Sequence, residues 1–204
     1  MIRNLIFDVG NVLTWWDPKK FCRTLFPNDP ALAEKIAEKA FLHPRWFEGD
    51  TGDTTMEALA ASITEKEEKA FIRSTIYAFT HFPEALIINE PMVAFLKEAK
   101  KKGYHVYLLS NYCELFERSI RHLGCLEDLD GYIYSHKEKI RKPDLGIYRL
   151  LLNRYHLNPK ECLFIDDKSA NVKAGLEAGY GYGFVYQGND EELFEYVKRN
   201  GLFG

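Results

Sequence analysis

The chain has 204 residues, 46% hydrophobic and 28% charged, which suffices for one sizeable core with a modest insert and argues against disorder. Its net charge is 27 − 30 = −3, and the densest basic run, Lys100-Lys101-Lys102, is short and sits at an expected helix end, so nucleic acid is not an expected partner. Cys22, Cys113, Cys125 and Cys162 show neither CxxC pairing nor a His at ligand spacing, and no apolar stretch approaches the ~20 residues that cross a bilayer. A soluble, cytoplasmic protein with reduced thiols, no signal peptide and no membrane partner is expected, as monomer or homodimer.

In chain order, the apolar run Leu5-Ile6-Phe7 reads as a strand buried on both faces and ends at Asp8. Residues 9–17 carry Gly10 and the pair Trp15-Trp16 and lead to Pro18; helical periodicity then holds to about Pro83. Helices are expected over 31–41, 54–62 and 66–79, with a turn at 49–52 and no convincing strand between Phe21 and Ile63. From Glu90 onward helices and strands alternate. Helices are expected over 92–101, 114–122, 145–155, 169–178 and 190–199, with strands over 105–109, 132–134, 163–165 and 183–186. That alternation predicts βαβ units and a parallel sheet, an α/β fold with a helical insert after its first strand.

Polar clusters end, or lie just beyond, four of the apolar runs: Asp8, Ser110-Asn111, Lys142-Pro143 and Asp166-Asp167. Ligands of open α/β sheets bind beyond the strands' carboxyl ends, so this spacing gathers the clusters on one rim. Three carboxylates there repel one another unless a cation sits among them, and oxygen ligands without His or Cys select magnesium. Asp8 is the candidate nucleophile, able to form an aspartyl-phosphate. Ser110, Asn111 through side chain or backbone, and Lys142 are donors suited to phosphoryl oxygens. Pro143 holds Lys142 rather than Arg141 in extended backbone. Blander roles exist for three of them: Asp8 as a strand-end carboxylate capping a turn, Asp166-Asp167 as a cap for the helix near Ser169, Ser110-Asn111 as turn chemistry.

Together, Phe7-Asp8-Val9-Gly10-Asn11-Val12, Leu109-Ser110-Asn111, Arg141-Lys142-Pro143 and Phe164-Ile165-Asp166-Asp167 with Asn171 resemble the four motifs of the haloacid dehalogenase-like hydrolases. The resemblance implies a Rossmann-like, doubly wound parallel core formed by residues 1–14 and 84–204. It also implies a helical-bundle cap over 15–83, as in that family's first subclass, and a magnesium-dependent phosphatase acting on a small phosphorylated metabolite. Carried over by position, Asp8 is the nucleophile, and Ser110 and Lys142 hold phosphate beside Asn111, Gly10 and Asn11. Asp8, Asp166, Asp167 and the Gly10 carbonyl hold magnesium, and Asn171 orients the acidic loop.

Gly10 departs from the pattern, because most phosphatases of the family carry there an Asp that protonates the leaving oxygen and activates water. Asp-x-Gly-Asn at this motif resembles a bacterial α-glucose-1-phosphate phosphatase group, whose anomeric leaving group needs less help. A sugar phosphate such as glucose 1-phosphate is therefore one expected substrate. Asp17, His43 and Asp50 are candidate substitutes for the missing acid, and Trp15, Trp16 and Trp46 are candidate pocket walls or core residues. The other histidines show no ligand spacing. Two further readings stay open: a hydrolytic 2-haloacid dehalogenase, which would not need the acidic pair for metal, and a silent sensor of a phosphorylated ligand.

Overall fold

The computed structural model describes residues 1–202. Its sheet has five parallel strands in the order β5-β4-β1-β6-β7. In chain order these are β1 (Asn4–Phe7), β4 (His105–Ser110), β5 (Gly131–Tyr134), β6 (Cys162–Asp166) and β7 (Tyr182–Val185). The chain winds outward from β1 first to one side, through β4 and β5, and then to the other, through β6 and β7. β1 is thus the switch point, where the crossovers part and leave a crevice beyond its carboxyl end. Its four residues are buried, as a central strand covered on both faces requires.

The expected doubly wound α/β core is present. Two-residue strands β2 (Thr14–Trp15) and β3 (Ile87–Ile88) pair antiparallel, so the chain leaving β1 and the chain returning to the sheet run side by side. Asn89 fastens that neck, its Nδ2 donating to the Val12 carbonyl at 2.8 Å and to the Tyr186 hydroxyl at 3.0 Å. Strands this short leave no periodic signal in the sequence.

Between the neck strands lie α1 (Pro18–Leu25), α2 (Pro30–Ile36), α3 (Met56–Ile63) and α4 (Lys69–His81). Local chemistry starts the first three: Asp17, Asp29 and Thr55 accept the N–H groups of Lys20, Leu32 and Ala58, and Pro18 and Pro30 open their helices. The helix expected over 31–41 is α only to Ile36 and continues as a π turn, Ala37–Phe41. Phe41 then packs 4.8 Å, centroid to centroid, from both Trp46 and Phe79. Where only a turn was expected at 49–52, a 3-10 segment runs over Pro44–Thr51.

On the core, α5 (Glu90–Lys101), α6 (Phe116–His122), α7 (Ser135–Glu138), α8 (Leu145–Arg154), α9 (Ser169–Glu177) and α10 (Asp190–Arg199) complete the layers. α5 through α10 fall within about two residues of their expected bounds, apart from the single turn α7, which had no sequence signal. Among the described residues no helix is long and apolar enough to cross a membrane.

Candidate functional site

Asp8 directly follows β1, Ser110 and Asp166 close β4 and β6, and Lys142 lies in the loop after α7. The parallel register sets these ends level, with Phe7 beside Leu108 and Ile165. Asp8 Oδ1 accepts the Val9 N–H at 2.7 Å and the Ser110 hydroxyl at 2.7 Å, and Lys142 Nζ stands 2.9 Å from the same oxygen. Three donors on one oxygen fix the rotation of the carboxylate. Lys142 Nζ also donates to Asp166 Oδ2 at 2.6 Å and to the Leu109 carbonyl at 2.8 Å.

All four side chains are buried, with Asp8 the most open at 7%. A paired ammonium is what keeps such carboxylates charged, since an isolated buried charge is costly. Burial raises the Asp8 carboxyl above its ordinary range, Lys142 opposes the rise and the charge of Asp166 adds to it. At Asp166, burial also pushes upward, but Lys142, the Lys168 N–H and Asn171 outweigh it and hold the carboxyl low. Burial disfavours the Lys142 ammonium, yet Asp166 and Asp8 prevail and keep it firmly protonated.

Asp8, Asp166 and Asp167 offer carboxylate oxygens within 4.8 Å of one another. The donors are hard oxygens with no His or Cys among them, a set that fits magnesium and not zinc. Surrounding hydrogen bonds set its orientation. Asn171 Nδ2 donates to both oxygens of Asp166 at 3.0 Å, and the Lys168 N–H reaches Asp166 Oδ1 at 2.8 Å. Asn11, at φ +56°, donates from Nδ2 to Asp167 Oδ2 at 3.1 Å and accepts the Trp16 N–H at 3.1 Å. Asp166 therefore spends its side chain on Lys142, Asn171 and the Lys168 N–H, and α9 begins without a side-chain cap bond.

Both ends of the Asn111 carboxamide are taken by Lys142: Oδ1 accepts its N–H at 2.7 Å and Nδ2 donates to its carbonyl at 2.9 Å. Asn111 thus clamps the backbone that carries the ammonium, a use the sequence did not suggest. Arg141 remains exposed at the mouth of the site.

A cavity of about 270 Å³ opens over the cluster. Its floor includes Asp8, Gly10, Asn11, Asn111, Lys142, Asp167 and Asn171, with Arg141 and Lys168 beside them. An apolar wall comes from the helical segment and its exit: Trp16, Trp46, Phe47, Met56, Phe82 and Leu86. Of the three tryptophans, Trp16 and Trp46 line this cavity, while Trp15 stacks on Tyr186 with centroids 6.3 Å apart. Of the candidate acids, Asp17 and His43 accept backbone N–H groups of Lys20 and Arg45 at the starts of their segments, and only Asp50 lines the cavity. Phe47, Met56, Phe82, Leu86, Tyr112 and Lys168 were not singled out from the sequence. Nothing in their local pattern separates them from core or surface positions. A larger open groove of about 610 Å³ between α5 and α10 lies away from these carboxylates.

The profile of the haloacid dehalogenase-like hydrolases matches residues 2–179. A sesquiterpene phosphatase of Aspergillus oryzae is 35% identical over 181 residues, 85% of each chain. A D-ribitol-5-phosphate phosphatase of Bacteroides thetaiotaomicron is 25% identical over 190 residues, 88% of this chain and 90% of that one. A HAD family enzyme of the same bacterium, solved in complex with magnesium and inorganic phosphate, superposes with a TM-score of 0.71 at 24% identity, covering 95% of this chain and all of that one. With four motifs gathered at one sheet rim and a profile match along most of its length, the chain belongs to the haloacid dehalogenase-like hydrolases.

Proposed function

We propose that this hydrolase is a magnesium-dependent phosphomonoesterase that cleaves the phosphate ester of a small apolar alcohol, with Asp8 as nucleophile. The carrying observation is the two-sided cavity, a charged floor around Asp8 and Lys142 facing an apolar wall of Trp16, Trp46, Phe47, Met56, Phe82 and Leu86. Its volume of about 270 Å³ lies just below the ~300–1,000 Å³ of small-molecule sites. Residues 1–14 and 84–204 form the catalytic core on this reading, and 15–83 the cap that receives the alcohol.

Asp8, Asp166, Asp167 and the Gly10 carbonyl would hold magnesium, whose charge offsets that of the phosphoryl oxygens. Asp8 attacks phosphorus to give an aspartyl-phosphate, and water then releases phosphate. Ser110, Lys142 and the backbone near Asn111 and Asn11 hold the phosphoryl oxygens, and Asn171 keeps Asp166 in register. The two phosphatase relatives support phosphatase chemistry, and the sesquiterpene phosphatase, the more similar of them, supports an apolar leaving group.

A sugar phosphate such as glucose 1-phosphate finds aromatic faces in Trp16 and Trp46. It finds little for its hydroxyl groups, because the wall carries one carboxylate among six apolar side chains. The converged acidic cluster also weighs against a dehalogenase, which has no use for a metal at Asp166 and Asp167. The test is phosphate release from a panel of prenyl, aryl, alkyl and sugar monophosphates, with EDTA controls and Asp8→Asn beside the wild type. Release that needs both magnesium and Asp8 supports the phosphatase. Halide release from a 2-haloacid without magnesium, or ligand binding with no turnover, would overturn it.

A further inference from the structure

We infer that Asp50 is the general acid and base of this site, delivered from the helical cap to do the work that the glycine at position 10 cannot; this rests on the phosphatase reading above. Among the described residues, Asp50 is the one polar side chain that the segment 15–86 contributes to the cavity. Its carboxylate is half-buried there and makes no hydrogen bond among the described residues. Asp17 and His43, by contrast, already accept backbone N–H groups.

Several core groups hold the backbone of Asp50 over the rim. Its carbonyl accepts the Ser135 hydroxyl at 2.7 Å, and Ser135 Oγ in turn accepts the N–H of Tyr112, two residues beyond Ser110, at 3.0 Å. His136 Nδ1 lies 2.9 Å from the Gly49 carbonyl, Lys139 Nζ donates to the Gly52 carbonyl, and Glu114 Oε1 accepts the Met56 N–H at 2.6 Å. Gly52, at φ +80°, lies so close beneath the core that a Cβ would stand 2.2 Å from the His136 carbonyl oxygen. A loop fastened at 49, 50, 52 and 56 is built to carry one side chain to one place. Gly10 is open by comparison: a Cβ there would meet nothing within 4 Å, so no bulk displaces an acid from that position.

The charges facing Asp50 suit the role. Burial pushes its carboxyl up to about 6, partly offset by Arg141 and Lys168, with Asp8 adding to the rise and Lys142 opposing it. His136 and Glu114 pack against the same loop. A group poised near neutrality can both give and take a proton. As Asp8 forms its bond to phosphorus and the ester P–O bond breaks, the Asp50 carboxylic acid protonates the departing alkoxide. The resulting carboxylate takes a proton from the water that attacks the aspartyl-phosphate, so phosphate leaves and Asp8 returns as carboxylate. One ester and one water give one alcohol and one phosphate.

The experiment compares wild type, Asp50→Asn and Gly10→Asp/Asp50→Asn on farnesyl phosphate and on p-nitrophenyl phosphate, whose leaving group needs no acid. Asp50→Asn is expected to lose ~10²-fold or more in kcat/KM on the alkyl ester. On the nitrophenyl ester it should keep a rapid burst of one nitrophenol per enzyme, followed by a slow steady rate. The double variant regains activity on the alkyl ester. Equal losses on both esters with no burst, or Asp50→Asn within twofold of wild type on the alkyl ester, would overturn the assignment. A wild type inactive on every ester would instead sink the phosphatase reading itself.

Discussion

The floor and the wall of the cavity are built by different physics. On the floor, Asp8, Ser110 and Asp166, at the ends of adjacent parallel strands, and Lys142, from the loop after α7, are locked by hydrogen bonds and ion pairs of 2.6–2.9 Å. The apolar side chains of the wall have no such network, their hydrogen bonds being confined to the backbone: Trp46 touches Phe41, Phe79 and Phe82 through ring contacts of 4.8–5.7 Å, and Phe47 stands 50% exposed. Directional bonds specify one geometry for phosphoryl chemistry, which every substrate of this type shares. Apolar packing is tolerant of repacking, so the wall is where an alcohol can be exchanged for another without disturbing the floor.

Breaking the floor should have the larger effect. Lys142→Met strips the ammonium from two buried carboxylates and is expected to lower unfolding free energy by about 3–5 kcal/mol in urea titrations, with phosphate release abolished. Added magnesium should return part of that stability, because a cation bound only by the folded chain shifts the equilibrium by mass action. A loss below ~1 kcal/mol would mean that the cluster is not held by Lys142.

Trimming the wall should act on substrate choice alone. Phe47→Ala removes a ring that is half in solvent, so its melting temperature should stay near that of wild type. Full burial of such a ring is worth about 1.5–3 kcal/mol, and the part a ligand covers predicts a roughly tenfold drop in kcat/KM for an apolar ester. Glucose 1-phosphate turnover should not change. An equal drop on both substrates would dissolve the distinction between wall and floor.

The same contrast explains what the sequence disclosed. Asp8, Ser110 and Asp166 were legible because a buried strand is a short apolar run and its polar terminator stands out beside it. Lys142 was legible through its proline neighbour, though the Asn111 clamp on its backbone was not, since it joins residues 31 apart. The wall was mostly illegible. Met56, Phe82 and Leu86 read as ordinary core positions, and only the three-dimensional path of the segment 15–86 turns them toward Asp8. Asp50 meets its anchor Ser135 across 85 residues and the neighbouring Gly49 meets His136 across 87, separations at which periodicity carries no information. The two-residue strands of the neck were missed for want of length.

The most direct test of the two-sided cavity is a head-to-head kcat/KM comparison of farnesyl phosphate with glucose 1-phosphate and glucose 6-phosphate, in magnesium and in EDTA. The account predicts magnesium-dependent release with farnesyl phosphate preferred over both sugars by at least tenfold. Glucose 1-phosphate turned over faster than both glucose 6-phosphate and farnesyl phosphate would contradict it, and would make Trp16 and Trp46 a sugar platform instead of an apolar wall.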